Sequence, residues 1–147
     1  SWRTNREHAT LDSMRIIGID PGLNNTGWGI IEKDQNRLSY VACGVIKPHA
    51  KASMAERLYQ IDAELEKVIA LYKPDSSAIE ETFINKSGSS SLKLGMARGA
   101  AFLAPARAGL EVAEYGANKI KKSVVGAGHA DKNQIQMMVK TAKNLSR

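Results

Sequence analysis

Apolar positions come first in short runs and later at helical spacing. Three such runs, residues 15–20, 26–33 and 38–46, are separated by the turn cluster Pro21-Gly22-Leu23-Asn24-Asn25 and by the polar stretch "KDQNR". Runs of that length with that punctuation predict three strands joined by hairpin-length connections. Past Pro48 the period changes. Met54, Leu58, Ile61, Leu65, Val68 and Ile69 or Leu71 recur every three or four residues. This spacing predicts an amphipathic helix over 53–72, capped by Ser53 with Glu56 three residues on, and stopped before Pro74.

Residues 77–81 form a fourth short apolar run that leads into the polar loop "TFINKSGSSS". Residues 91–103 are small and apolar enough for a closely packed helix, which Pro105 is expected to end or kink. A fifth strand is predicted at 110–115, a short helix at 117–123, a turn at "GAGH" and a closing helix at 131–143, with Asp131 suited to its positive N-terminal end. The order βββαβαβα predicts an α/β domain: a mixed sheet of three antiparallel strands followed by parallel crossovers, flanked by helices. No internal repeat is present. Residues 1–13 read as a leader, extension or tag remnant without periodicity, and 14–147 as the single domain.

Composition narrows the setting. The 147 residues are 43% hydrophobic and 24% charged, as in an ordinary globular domain with a full core. No apolar run approaches the roughly 18 residues that span a bilayer, and the polar start "SWRTNREHATLDS" lacks the apolar centre of a signal peptide. No membrane partner is expected. The single cysteine, Cys43, allows no internal disulfide and fits a reducing cytoplasm; its apolar surroundings predict a buried thiol. Charge is unevenly placed. The formal net charge is +6, and residues 115–147 carry all of it, with seven Lys/Arg against Asp131 alone. Clustered positive charge suits a polyanion, commonly nucleic acid; a solvated basic helix end is the plainer reading.

Two carboxylates end strands. Asp20 closes the first, in "GIDPG", and Glu80 sits near the end of the fourth, in "AIEETF". Three antiparallel strands and a helical crossover bring the fourth strand beside the first, so the two acids meet at one rim of the sheet. Converging carboxylates repel, and an oxygen-preferring divalent ion such as Mg²⁺ or Mn²⁺ resolves the repulsion. A pair of such ions clamps the attacking and leaving oxygens of a phosphodiester. The competing reading is that each acid caps a turn or faces solvent. Glu81 points the other way on a strand and reads as a solvated neighbour.

Phe83 is an aromatic in a polar Gly/Ser-rich loop, suited to stack on an unpaired base or else to fold back as a loop anchor. Lys86 in that loop, and Lys119, Lys121, Lys122 and Lys132 downstream, are candidates for phosphate contacts, although any single one reads equally as a solvated lysine. His8, His49 and His129 have no metal-ligand spacing, and no zinc motif, P-loop, dinucleotide fingerprint or serine-triad signature is present.

Three stretches, "RIIGIDPGLNNTGWGII", "AIEETFINKSGSSSLKLGMARG" and "EYGANKIKKSVVGAGHADKNQIQMMV", closely resemble the RuvC Holliday-junction resolvases, with the motifs in order over about residues 14–141. The resemblance implies a ribonuclease-H-like fold and a crossover-junction endodeoxyribonuclease acting in recombination and repair. It also implies a homodimer that binds a four-way DNA junction, nicks it symmetrically with Mg²⁺, and cooperates with the branch-migration proteins RuvA and RuvB. By that resemblance Asp20 and Glu80 match the family's first two metal-binding catalytic acids, Phe83 the aromatic that stacks near the crossover, and Lys121 and Lys132 basic residues placed for the DNA strand.

The family completes its site with two more acids in a "DAADALA"-like stretch on a last helix. By spacing that stretch starts a few residues beyond Arg147, and the chain closes on "VKTAKNLSR". The expectation is therefore a domain incomplete at its C-terminus, its last helix missing or altered, that binds junctions and cleaves them weakly or not at all. Asp131 is a poor substitute for the absent acids. The alternatives are a catalytically silent junction-binding module and a ribonuclease-H-like nuclease acting on another substrate, such as RNA in a hybrid.

Overall fold

The computed structural model describes residues 13–35, 37–81 and 88–115. Among these are five strands and two helices, in the order β1 (Ser13–Asp20), β2 (Thr26–Asp34), β3 (Arg37–Ile46), α1 (Met54–Tyr72), β4 (Ser76–Glu80), α2 (Gly88–Arg107) and β5 (Val112–Tyr115). The strands form one mixed sheet ordered β3-β2-β1-β4-β5. β1 pairs antiparallel with β2 and β2 with β3, while β1–β4 and β4–β5 are parallel. This is the sheet anticipated from the sequence, with β1 at the junction of its two halves. The helices expected at 117–123 and 131–143 lie outside the described residues, as do residues 1–12; β1 begins at Ser13, opposite Asp34.

Alternation along the strands divides the sheet into two faces. Ile17, Ile19, Ile30 and Ile79 face the helices and form one core with Ile61, Leu65 and Ile69 of α1 and Ala97, Ala100, Ala101 and Ala104 of α2. Alanines along α2 let it lie close against α1, because a methyl group keeps the two helix axes near one another. On the other face lie Ile16, Ile31 and Ala78, all fully buried, and in the same rows Gly18, Gly29, Asp20 and Glu80. Burying each large isoleucine is worth about 1.5–3 kcal/mol.

Helix ends follow the local chemistry. The Ser53 side chain accepts from the Glu56 amide at 3.2 Å. At the other end Lys73 takes a left-handed conformation and its N–H bonds to the Ile69 carbonyl, just ahead of Pro74. α2 is longer than its apolar pattern suggested: Gly88–Ser91 form its first turn, and it runs two residues past Pro105. Proline there removes only one amide donor, in the last turn, so the helix survives. Gly109, at φ 75°, closes it with a Schellman pattern, its N–H on the Ala106 carbonyl and the Leu110 N–H on that of Pro105, both at 3.0 Å. Cys43 is half-buried rather than buried, since β3 is an edge strand with one open side.

Candidate active site

The site is created by the register of β1 against β4. Arg15 and Asp75 begin that ladder: the Arg15 amide donates to Asp75 Oδ2 at 2.8 Å, and the Asp75 amide to the Arg15 carbonyl at 2.7 Å. The Arg15 side chain meanwhile holds the Tyr72 carbonyl at 2.7 Å and Glu32 at 2.9 Å, tying the end of α1 to the sheet. From this start Ile16 pairs with Ser76 and Ile19 with Ile79, which carries Asp20 alongside Glu80 at the next step. Both acids lie on the face opposite the helices. A slip of one residue would turn one of them to the wrong face.

Glu80 is 6% exposed and shares a hydrogen bond with Asp20. Burial, then that hydrogen bond, then the neighbouring Asp20 charge push its carboxyl up from 4.5 to about 8. At neutral pH Glu80 therefore keeps its proton and donates it to Asp20 in their hydrogen bond. Among the described residues no basic side chain contributes to this shift, so the proton does the work that a cation would otherwise do. Two hard oxygen donors of this kind fit a divalent, oxygen-preferring ion. No group of three or more His, Cys, Asp or Glu side chains gathers among the described residues.

The turn after Asp20 is tightly built. The Thr26 hydroxyl, fully buried, donates to the Gly22 carbonyl at 2.7 Å and accepts from the Gly22 amide at 3.2 Å, closing residues 22–26 into a ring. Gly22 is required there, because a Cβ would stand 2.4 Å from the Asn25 carbonyl oxygen. Leu23 buries its side chain in the core, and Arg57 of α1 reaches across to the Leu23 carbonyl and to Asn24 Oδ1, at 3.3 and 2.7 Å. Sequence reading missed Arg57. An arginine on the polar side of an amphipathic helix looks like any solvated one until the helix has docked.

The structure thus brings Asp20 and Glu80 together and leaves Glu81 exposed. Phe83, Lys86, Lys119, Lys121, Lys122, Asp131 and Lys132 lie outside the described residues. His49 borders an open pocket of about 540 Å³ beside β3 and α1, with Trp28 and Lys47.

Residues 16–147 match the family model for crossover junction endodeoxyribonuclease RuvC. A curated protein of that name from Rhodopseudomonas palustris is 58% identical over 127 residues, covering 86% of this chain and 73% of the relative. Among solved structures, RuvC of Thermus thermophilus is similar at 30% identity and a TM-score of 0.65, covering 87% of this chain and 79% of that one. The T. thermophilus protein in complex with a Holliday junction substrate gives 29% and 0.64, covering 70% of this chain; the chain spans 64% of its length.

Proposed function

The chain belongs to the RuvC family of crossover junction endodeoxyribonucleases, and from that premise we propose that it binds four-way DNA junctions and resolves them by paired, metal-dependent cleavage of phosphodiester bonds. The observation that carries the reading is the juxtaposition of Asp20 and a buried Glu80, hydrogen-bonded to each other at the sheet rim. Asp20 and Glu80 are the proposed metal ligands, and Mg²⁺ or Mn²⁺ the proposed ion. When bound, such an ion supplies positive charge to the scissile phosphodiester and makes water a better nucleophile.

The chain's own residues prepare for that chemistry. Glu80 must release its proton for the pair to act as ligands, so ion binding and deprotonation are linked. The ring at 22–26 and the β1–β4 ladder keep both carboxylates aimed at one point, which limits the reorganisation left for the chemical step. On the DNA side, Phe83 is proposed to stack on a base near the crossover, with Lys86, Lys119, Lys121, Lys122 and Lys132 on the phosphates. The +6 charge carried by residues 115–147 supports that assignment.

Paired nicks require two sites related by a two-fold axis, and a homodimer is proposed for that reason. Leu92, Met96 and Leu103 support it: they are 64%, 40% and 52% exposed, at helical spacing, on the side of α2 away from its buried alanines. Cooperation with RuvA and RuvB in the cytoplasm is proposed on the family resemblance. No described helix is long and apolar enough to cross a membrane.

The test is a synthetic four-way junction assayed twice. A native gel in Ca²⁺ reads binding, and a denaturing gel in Mg²⁺ or Mn²⁺ reads nicks. The expected result is binding that weakens steeply with salt and is retained in Asp20→Asn, with symmetric nicks that are weak in the unaltered chain and vanish in that variant. Binding without nicks at any metal concentration would favour a silent junction-binding module. A preference for an RNA–DNA hybrid over the junction would favour the other nuclease reading.

A further inference from the structure

We propose that Arg57 is a positioning residue for the Asp20 carboxylate, acting from α1 through the turn that follows the acid; this rests on the reading of Asp20 as a metal ligand. Asp20 is the last residue of β1, and its pairing with Gly27 is the last rung on the β2 side. The strand ladder holds it from behind. Ahead of it, its orientation depends on the turn through Pro21–Asn25. Within that turn the Thr26 ring closes the backbone on itself, which makes the turn rigid but does not tie it to the rest of the domain. Two contacts do tie it: the Leu23 side chain in the core, and the Arg57 guanidinium.

Arg57 grips the turn at two chemically different points. One Nη donates both to the Leu23 main-chain carbonyl at 3.3 Å and to Asn24 Oδ1 at 2.7 Å. A carbonyl is fixed by the backbone and an amide oxygen by its rotamer, so the pair sets both the place and the tilt of the turn. The other feature is a cost. The Nε of Arg57 is buried with no hydrogen-bond partner among the described residues. An unpaired buried donor on a charged group is unfavourable, because it has given up its water and gained nothing in return. A residue kept for stability alone would be better replaced by an apolar one of similar size, whose stem would still cover α1. What the guanidinium adds over such an apolar residue is its directional bonds to the turn.

The consequence is specific. Metal ligands must be held to within about 0.5 Å, and partners that orient a ligand commonly change metal affinity or activity 10–100-fold when removed. Arg57 touches neither the ion nor the DNA in this scheme; its effect reaches the site only through residues 21–24.

The experiment compares the unaltered chain with Arg57→Met, Arg57→Lys, Asn24→Ala and Asp20→Asn. Mn²⁺ affinity is read by electron paramagnetic resonance of the free ion, and junction affinity by gel shift in Ca²⁺. The expected result is a loss of Mn²⁺ affinity of about tenfold or more in Arg57→Met, partial recovery in Arg57→Lys, a smaller loss in Asn24→Ala, and junction affinity unchanged in all three. Should Arg57→Met fail to fold, Asn24→Ala still reads the effect, because it removes only the 2.7 Å contact and Asn24 itself is exposed. Unchanged Mn²⁺ affinity in the folded variants overturns the proposal, as does a loss of junction affinity that accounts for the whole effect. If the unaltered chain takes up no Mn²⁺, or Asp20→Asn takes it up equally, the metal reading itself falls, and this inference with it.

Discussion

Replacing Glu80 by glutamine should make the metal-free domain more stable at alkaline pH while removing its response to Mg²⁺. Burial and Asp20 push the Glu80 carboxyl from 4.5 to about 8. The unfolded chain therefore gives up this proton near pH 4.5, whereas the native state keeps it to about 8. Between those values the native state binds more protons than the unfolded one, so stability falls as pH rises. Below 4.5 both states are protonated and the full stability is present; above about 8 both are ionised and the loss is complete. At about 1.4 kcal/mol per pH unit the span sets an upper bound of about 5 kcal/mol, and relaxation of the pair brings the expected loss to a few kcal/mol.

Glutamine keeps the shape and cannot ionise, so Glu80→Gln should have no such slope from this site. An ion that binds only the native, deprotonated pair reverses the loss in the unaltered chain by mass action and leaves the variant unmoved. The assay is urea denaturation at pH 4.5, 6, 7.5 and 9, in EDTA and in millimolar MgCl₂. Stability curves that run parallel with pH for the two proteins in EDTA would refute the reasoning, because Glu80 would then titrate alike in the folded and unfolded states.

Other expectations follow from single contacts. Gly44→Ala places a Cβ 2.6 Å from Cζ2 of Trp28 and should cost about 1–3 kcal/mol by urea denaturation, since both lie in paired strands with little room to shift. Asp75→Ala removes the acceptor for the Arg15 amide at the start of the β1–β4 ladder, and should cost about 1–3 kcal/mol with faster hydrogen exchange at that amide. Leu92→Lys combined with Met96→Lys should shift sedimentation velocity toward the monomer and leave the melting temperature of the domain nearly unchanged, both side chains being exposed. An unaltered sedimentation coefficient would remove α2 as the dimer face.

Periodicity and punctuation were enough to reveal the order of the five described strands and two described helices, because each element obeys a local rule. β1 to β3 are apolar runs cut by turns, α1 carries its own cap and stop, and Asp20 stands at a strand end beside a Pro-Gly turn. The two acids were legible as a pair for the same reason: chain order alone puts β4 next to β1. Several features depend instead on atoms distant in sequence. The 60-residue offset set by Arg15 and Asp75 decides that Asp20 and Glu80 share a face and a hydrogen bond. Burial by the assembled sheet, and not the identity of the residue, raises the proton affinity of Glu80. Edge position leaves Cys43 half-exposed in an apolar run that promised a buried thiol. Arg57 gains its role only when α1 docks and carries it to a turn 33 residues earlier in the chain. Local patterns specify elements because neighbouring residues share a backbone. Register, burial and reach are properties of the packed whole, and there the chemistry of the site is decided.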